Sequence, residues 1–164
     1  MSTAIFLLLG SNLGDPEYNL RMASQKIETY AGKILRASAV YRTAAWGNEA
    51  QPDFYNQVLE ITSAFSPEKL LQLLLDIEWT MGRKRAEKWG PRLIDIDLLF
   101  YGSEVMDIKG LTLPHPGVPD RKFVLVPLAE IAPDLEHPVL KKSITQLLRE
   151  CQDALRVEKA GSDL

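Results

Sequence analysis

The chain has 164 residues, 46% hydrophobic and 25% charged, with a net charge of −3, which suits one compact domain with a sizeable core and excludes a disordered chain. The mildly acidic balance argues against a nucleic-acid binder, and a single Cys151 excludes an internal disulfide or a cysteine metal cluster. The opening run "AIFLLLG" is too short for a signal peptide, and no stretch approaches the roughly 20 apolar residues that span a bilayer. A soluble, cytoplasmic monomer without nucleic-acid or membrane partners is expected, as a single domain over residues 1–164.

Residues 4–9 read as a buried strand that ends in a turn, "GSNLGDP", whose glycines serve turn geometry. Asp15 is an N-cap, Pro16 and Glu17 suit a first helical turn, and Leu20, Ala23, Ile27 and Tyr30 keep helical spacing up to Gly32. Residues 34–41 read as a strand, and "YRTAAWGNEAQPD" as a long loop. Phe54 to Ala64 is a second strand of that pair, with Val58, Glu60 and Thr62 on one face and Leu59, Ile61 and Ser63 on the other. Ser66-Pro67-Glu68 caps a second helix that runs to Met81 and stops at Gly82. A basic loop follows, then an apolar strand from Leu93 to Tyr101. The order strand, helix, strand, strand, helix, strand is that of an α+β, ferredoxin-like βαββαβ sandwich, an antiparallel sheet with helices on one face. A hairpin, a proline-rich loop and two short helices complete the C-terminal part.

Two carboxylates, Asp95 and Asp97, interrupt the last strand. Strand alternation puts them on one face, about 7 Å apart, with Leu93, while Ile94, Ile96 and Leu98 point to the helix-covered side. Aspartate forms strands poorly and the two charges repel. A solvent-facing edge tolerates such a pair, and so does a site where a divalent cation binds the carboxylates. The preceding segment, Arg83 to Arg92, carries a local charge of +4 in an otherwise acidic chain. It is either a solvated basic connection or an anion grip. Together, basic loop and paired carboxylates favour Mg²⁺ and a nucleotide polyphosphate. There is no G-x-x-x-x-G-K-[ST] segment, so side chains would have to hold the phosphates.

"KWGPRLIDIDLLF" resembles the signature of the 6-hydroxymethyl-7,8-dihydropterin pyrophosphokinases, which transfer a pyrophosphoryl group from ATP to a pterin alcohol in folate biosynthesis. "LLGSNLGDP", "VYRTAAWG", "QPDFYNQV", "IEWTMGR" and "LTLPHPGVPDRKFVLVPLAEIAP" fall in the family's order and spacing, so the resemblance spans roughly residues 4–135. The family's fold is ferredoxin-like, in keeping with the element order.

The resemblance implies that Asp95 and Asp97 hold two Mg²⁺ ions bridging the ATP phosphates, with Asp95 near the pterin hydroxymethyl group. Arg83 and Arg92 match the family's loop and signature arginines, which stabilise the transferring group. Glu78, Arg85, Trp89, Thr112, His115 and Arg121 fall where the family contacts ATP. Phe54 and Phe123 would sandwich the pterin, Asn56 would read its polar edge, and backbone groups of Thr43, Ala44 and Trp46 would complete the pocket. On residue type alone, both phenylalanines also suit a core, Asn56 a ladder position and His115 a surface loop. Phe54 and Asn56 do share a strand face, so an aromatic plane and an amide can meet one flat heterocycle. The chain departs from the family pattern in a basic loop one residue shorter, in Gly110 before "LT", in Ala44-Ala45, and in Leu75 on the second helix. The implied reaction is attack of the pterin hydroxyl on the β-phosphorus, with AMP leaving. Two rival readings share parts of this pattern: a two-metal phosphohydrolase and a ferredoxin-like RNA-binding module.

Overall fold

A computed structural model describes residues 3–44, 52–82 and 93–160. The elements are β1 (Ile5–Ser11), α1 (Pro16–Tyr30), β2 (Lys33–Ala37), β3 (Tyr41–Thr43), β4 (Phe54–Thr62), α2 (Pro67–Thr80), β5 (Asp95–Tyr101), β6 (Met106–Ile108), β7 (Leu111–Leu113), α3 (Lys122–Ile131), α4 (Ile144–Glu150) and β8 (Val157–Lys159). A 3-10 turn, Val118–Asp120, precedes α3. Both long helices start as their sequences predict. The Asp15 carboxylate accepts from Tyr18 N–H and the Ser66 hydroxyl from Lys69 N–H, each followed by proline at the first helical position. Gly82, at φ 93°, provides the left-handed step that ends α2.

The main sheet runs β5-β1-β4-β3-β8, with β2 also paired to β4, and the pairs are antiparallel. This is the strand order of a ferredoxin-like sandwich, and β6 and β7 form the expected hairpin. Alternation sends Ile5, Leu7, Leu9, Leu59, Ile61, Ile96 and Leu98 to one side. There they bury against Leu20, Ala23 and Ile27 of α1 and Leu70, Leu74 and Ile77 of α2. Each such side chain stabilises the fold by about 1.5–3 kcal/mol when fully buried. The two C-terminal helices pack on the opposite side. Phe6, Leu8 and Val58 join Val124, Leu125 and Leu128 of α3 and Ile144 and Leu147 of α4 in a second core.

Three sequence expectations shift. The first strand does not end before Gly10 but continues through Ser11, so "GS" is strand and not turn. The strand expected at 34–41 is split into β2 and β3. Ser38 causes the break: its hydroxyl, not its carbonyl, accepts from Val58 N–H at 3.0 Å, while its own N–H donates to Val58 O at 2.9 Å. The start of the expected loop, Tyr41–Thr43, is therefore strand. Finally, β8 adds an unanticipated strand along β3, with Thr43 opposite Val157. Among the described residues, no helix is long and apolar enough to cross a membrane.

Candidate active site

The sheet register assembles the centre of the site. Asp95 of β5 lies opposite Gly10 of β1, Gly10 opposite Asn56 of β4, and Asn56 opposite Tyr41 of β3. Direct cross-strand partners share a face, here the one turned away from α1 and α2. The next row on this face is Asp97, Leu8 and Val58, and the last two already belong to the apolar core under α3. Phe54 lies two residues before Asn56 on the same face and pairs with Thr43. The site therefore occupies the end of a sheet face whose other end is core. Asp95 and Asp97 are half-buried and share that face, as strand alternation predicts.

Gly10 is a functional position that sequence reading missed. A Cβ at residue 10 would lie 2.8 Å from Asn56 Oδ1 and 3.7 Å from Phe54 Cδ1, so only glycine lets the amide lie against β1. Asn56 is 4% exposed, and its Nδ2 has no hydrogen-bond partner among the described residues. Such a buried, unmatched donor costs about 1–3 kcal/mol. A fold bears that cost most readily where a ligand supplies the acceptor. The sequence signal was the glycine itself, inside an otherwise apolar strand.

Beside this row lies a cleft of about 360 Å³ between α2, β5 and the loop after β7. Glu78, Asp97, Thr112 and His115 line it, with Leu75 and Gly110, two of the positions that depart from the family pattern. Glu78 is buried, and its Oε2 accepts from Ile96 N–H at 2.6 Å. Because β5 is an edge strand, that N–H has a side-chain acceptor where an inner strand would have a neighbour. Glu78 thus joins α2 to the residue between the two aspartates. His115 Nδ1 accepts from Gly117 N–H at 3.0 Å, which leaves the ring proton of the neutral imidazole on Nε2. Burial, and secondarily the charge of Arg121, hold its pKa below the ordinary histidine value. His115 N–H donates to Leu99 O at 2.9 Å, tying the loop to β5.

Arg121 and Phe123 stand at the start of α3, with the guanidinium carbon 5.9 Å from the ring centroid. The same guanidinium also lies near Gly117, where an added Cβ would stand 3.1 Å from it. Ala44 is half-buried directly after β3, and Thr43 is buried with its Oγ1 donating to Arg156 O at 2.9 Å. The structure thus groups Asp97, Glu78, Thr112 and His115 around the cleft, and Asp95, Asn56, Phe54 and Thr43 on the adjoining sheet face. Trp46, Arg83, Arg85, Trp89 and Arg92 lie outside the described residues. Among the described residues no cluster of three or more His, Cys, Asp or Glu side chains could hold a metal.

Residues 6–133 match the family model described as 7,8-dihydro-6-hydroxymethylpterin-pyrophosphokinase (HPPK). A Synechocystis relative named 2-amino-4-hydroxy-6-hydroxymethyldihydropteridine pyrophosphokinase is 46% identical over 143 residues, 87% of this chain and 73% of that protein. One of the same name from Aquifex aeolicus is 40% identical over 146 residues, covering 89% of this chain and 91% of its own. Among solved structures, the HPPK-DHPS of Plasmodium falciparum with pterin and p-hydroxybenzoate superposes with a TM-score of 0.73 at 18% identity, over 92% of this chain. This chain covers 43% of that one, and the likeness concerns the fold. The match of the family model, its agreement with two relatives over most of their length, and the shared fold lead to one conclusion: the chain belongs to the 7,8-dihydro-6-hydroxymethylpterin-pyrophosphokinase family.

Proposed function

We infer that this chain transfers pyrophosphate from ATP to 6-hydroxymethyl-7,8-dihydropterin, giving AMP and the pterin diphosphate in folate biosynthesis, as a monomeric cytoplasmic enzyme. The observation that carries this reading is the buried Asn56 amide with an unmatched Nδ2, set in one row with Asp95. An amide offers a donor and an acceptor in one plane, which suits the polar edge of a pterin. Phe54, on the same face, gives one aromatic wall, and Phe123 at the start of α3 gives the other. Thr43, Ala44 and Trp46 close the pocket through their backbone groups.

ATP occupies the adjoining cleft. Thr112 meets it from β7, His115 from the loop that follows, Arg121 from the start of α3, and Glu78 from α2. Arg83, Arg85, Trp89 and Arg92 come from the basic loop. Neutral His115 donates through Nε2–H, a direction fixed by its Gly117 bond. Asp95 and Asp97 would hold Mg²⁺, two ions with ATP. A pair of carboxylates fits that metal, which commonly takes one or two carboxylates and completes its shell with water and substrate phosphate oxygens. Held by Asp95 and Asp97, the metal would offset the negative charge of the ATP phosphates.

The chemistry follows from position. The pterin hydroxyl oxygen, held beside Asp95, forms a bond to the β-phosphorus; the bond from that phosphorus to the oxygen shared with the α-phosphate breaks, and AMP leaves. The hydroxyl proton passes to Asp95. Arg83 and Arg92 stabilise the charge that builds on the transferring group. No covalent enzyme intermediate is needed, because positioning and charge neutralisation dominate phosphoryl transfer. The test is AMP formation from MgATP with and without 6-hydroxymethyl-7,8-dihydropterin. AMP produced only with the pterin supports the reading. Phosphate or ADP released without it would make the protein a hydrolase.

A further inference from the structure

The family match ends at residue 133, yet the chain beyond it returns to the site twice. Asp153 places both carboxylate oxygens on backbone donors. Oδ2 accepts from Lys122 N–H at 3.0 Å and Oδ1 from Leu155 N–H at 2.9 Å. Lys122 opens α3, whose N-cap residue Arg121 makes no side-chain capping bond. First-turn N–H groups need outside acceptors, and a negative charge there suits the helix dipole. Asp153 supplies both from elsewhere in the chain. A few residues later, Val157 pairs with Thr43 and the Arg156 carbonyl accepts from Thr43 Oγ1. The other end of α3 is pinned separately, where Glu130 accepts from the Tyr41 hydroxyl at 2.5 Å and from Ala39 N–H at 3.1 Å.

We propose that Asp153 is a positioning residue for the pterin: the tail from Asp153 to Val157 ties the start of α3, with Phe123, to the end of β3, with Thr43 and Ala44. The inference rests on the pterin pocket assigned above. Phe123 directly follows Lys122, so this hydrogen bond sets the position of its ring over the sheet. Without it, α3 remains attached through Glu130 and through Val124, Leu125 and Leu128 in the second core. The displacement therefore falls on the pterin end of the helix. Thr112, His115 and Glu78, on other elements, are not tied by Asp153, so the effect on ATP should be small.

The test compares Asp153→Ala, Asp153→Asn and Phe123→Ala in the full-length enzyme, with KM for each substrate measured at saturation of the other. Losing a helix-capping interaction is worth about 0.5–2 kcal/mol, so Asp153→Ala should raise the pterin KM about two- to thirtyfold, with MgATP KM and kcat essentially unchanged. Asp153→Asn keeps one acceptor oxygen but sets a donor Nδ2 against the other backbone N–H, so its pterin KM should fall between those of the wild type and Asp153→Ala. If Asp153→Ala does not fold, Asp153→Glu displaces the carboxylate by one methylene and should give the same selective rise. An unchanged pterin KM, or pterin and ATP KM values that rise together, would overturn the proposal provided that Phe123→Ala weakens pterin binding. If Phe123→Ala leaves pterin KM unchanged, the aromatic sandwich itself fails and the proposal falls with it.

Discussion

Gly10→Ala is the substitution with the most specific expected outcome. The new methyl would stand 2.8 Å from Asn56 Oδ1, whereas a carbon–oxygen contact normally settles at about 3.3 Å or more. β1 is bonded to strands on both sides, so its backbone cannot retreat, and relief must come from the amide. Rotating Asn56 off its rotamer costs about 0.5–1.5 kcal/mol. Because the residue is buried, the same rotation turns its donor and acceptor away from the ligand, at a further cost of about 1–3 kcal/mol in binding. The pterin KM should therefore rise by about 5- to 150-fold, with MgATP binding unaltered. The melting temperature should fall by about 1–6 °C for a chain of this size. Isothermal titration and a thermal melt read the two effects, and an Asn56→Ala background isolates their cause. With Oδ1 removed, the nearest remaining contact is Phe54 Cδ1 at 3.7 Å, ordinary packing distance, so Gly10→Ala should then cost almost no stability. Equal destabilisation in both backgrounds would refute the proposed collision.

Asp97→Ala should abolish turnover, lowering kcat by at least about a thousandfold, and chelation of the wild type should do the same reversibly on return of Mg²⁺; a variant that still turns over rapidly would remove Asp97 from metal binding. Arg83→Ala should slow the chemical step by about 10²–10³-fold with little change in ATP affinity, read by single-turnover kinetics, and a pure KM effect would contradict that role. Stability should decline at both pH extremes, as followed by urea unfolding across a pH series. His115 and His137 are held below the usual histidine pKa by burial, and both use Nδ1 as an acceptor from backbone N–H groups. Their contribution is present above the unfolded value near 6.5 and is lost as pH falls toward the lower folded values. Tyr41 is pushed up to about 12 by burial and then by Glu130, so its contribution is present below about 10 and lost as pH rises toward 12. Tyr41→Phe should remove that alkaline component.

How much of this was legible in the sequence depended on how far away the deciding partner lay. The helix starts were readable because Asp15 and Ser66 act on residues three positions on. Asp95 and Asp97 stood out because carboxylates break an apolar alternation within one strand. Asn56 could be placed on the face of Phe54 by the same alternation. Gly10 was misread as turn geometry because its necessity appears only when β4 lies alongside and brings the Asn56 amide against β1. The division of β2 from β3 was hidden for the same reason, since the Ser38 hydroxyl acts as a ladder acceptor only once Val58 N–H is opposite. β8 is three residues long, too short for any periodic signal, and its register is set by the docking of the tail on β3.

The two faces of the sheet explain why chemistry and stability can be separated experimentally. The face under α1 and α2 is apolar along β1, β4 and β5, from Ile5 to Leu9, through Leu59 and Ile61, and from Ile96 to Leu98. The other face changes character within a single step along β1. Leu8 belongs to the core beneath α3, and Gly10, two residues on, lies between Asn56 and Asp95. Polar residues there are close enough to the core to be held rigidly, yet little of the apolar burial depends on them. The buried Asn56 donor, without a partner among the described residues, is a standing cost to the fold, so Asn56→Ala should leave stability nearly unchanged or raise it while weakening pterin binding. Loss of activity accompanied by large destabilisation would instead make the amide a structural member. That result would leave its unmatched Nδ2 without a functional explanation.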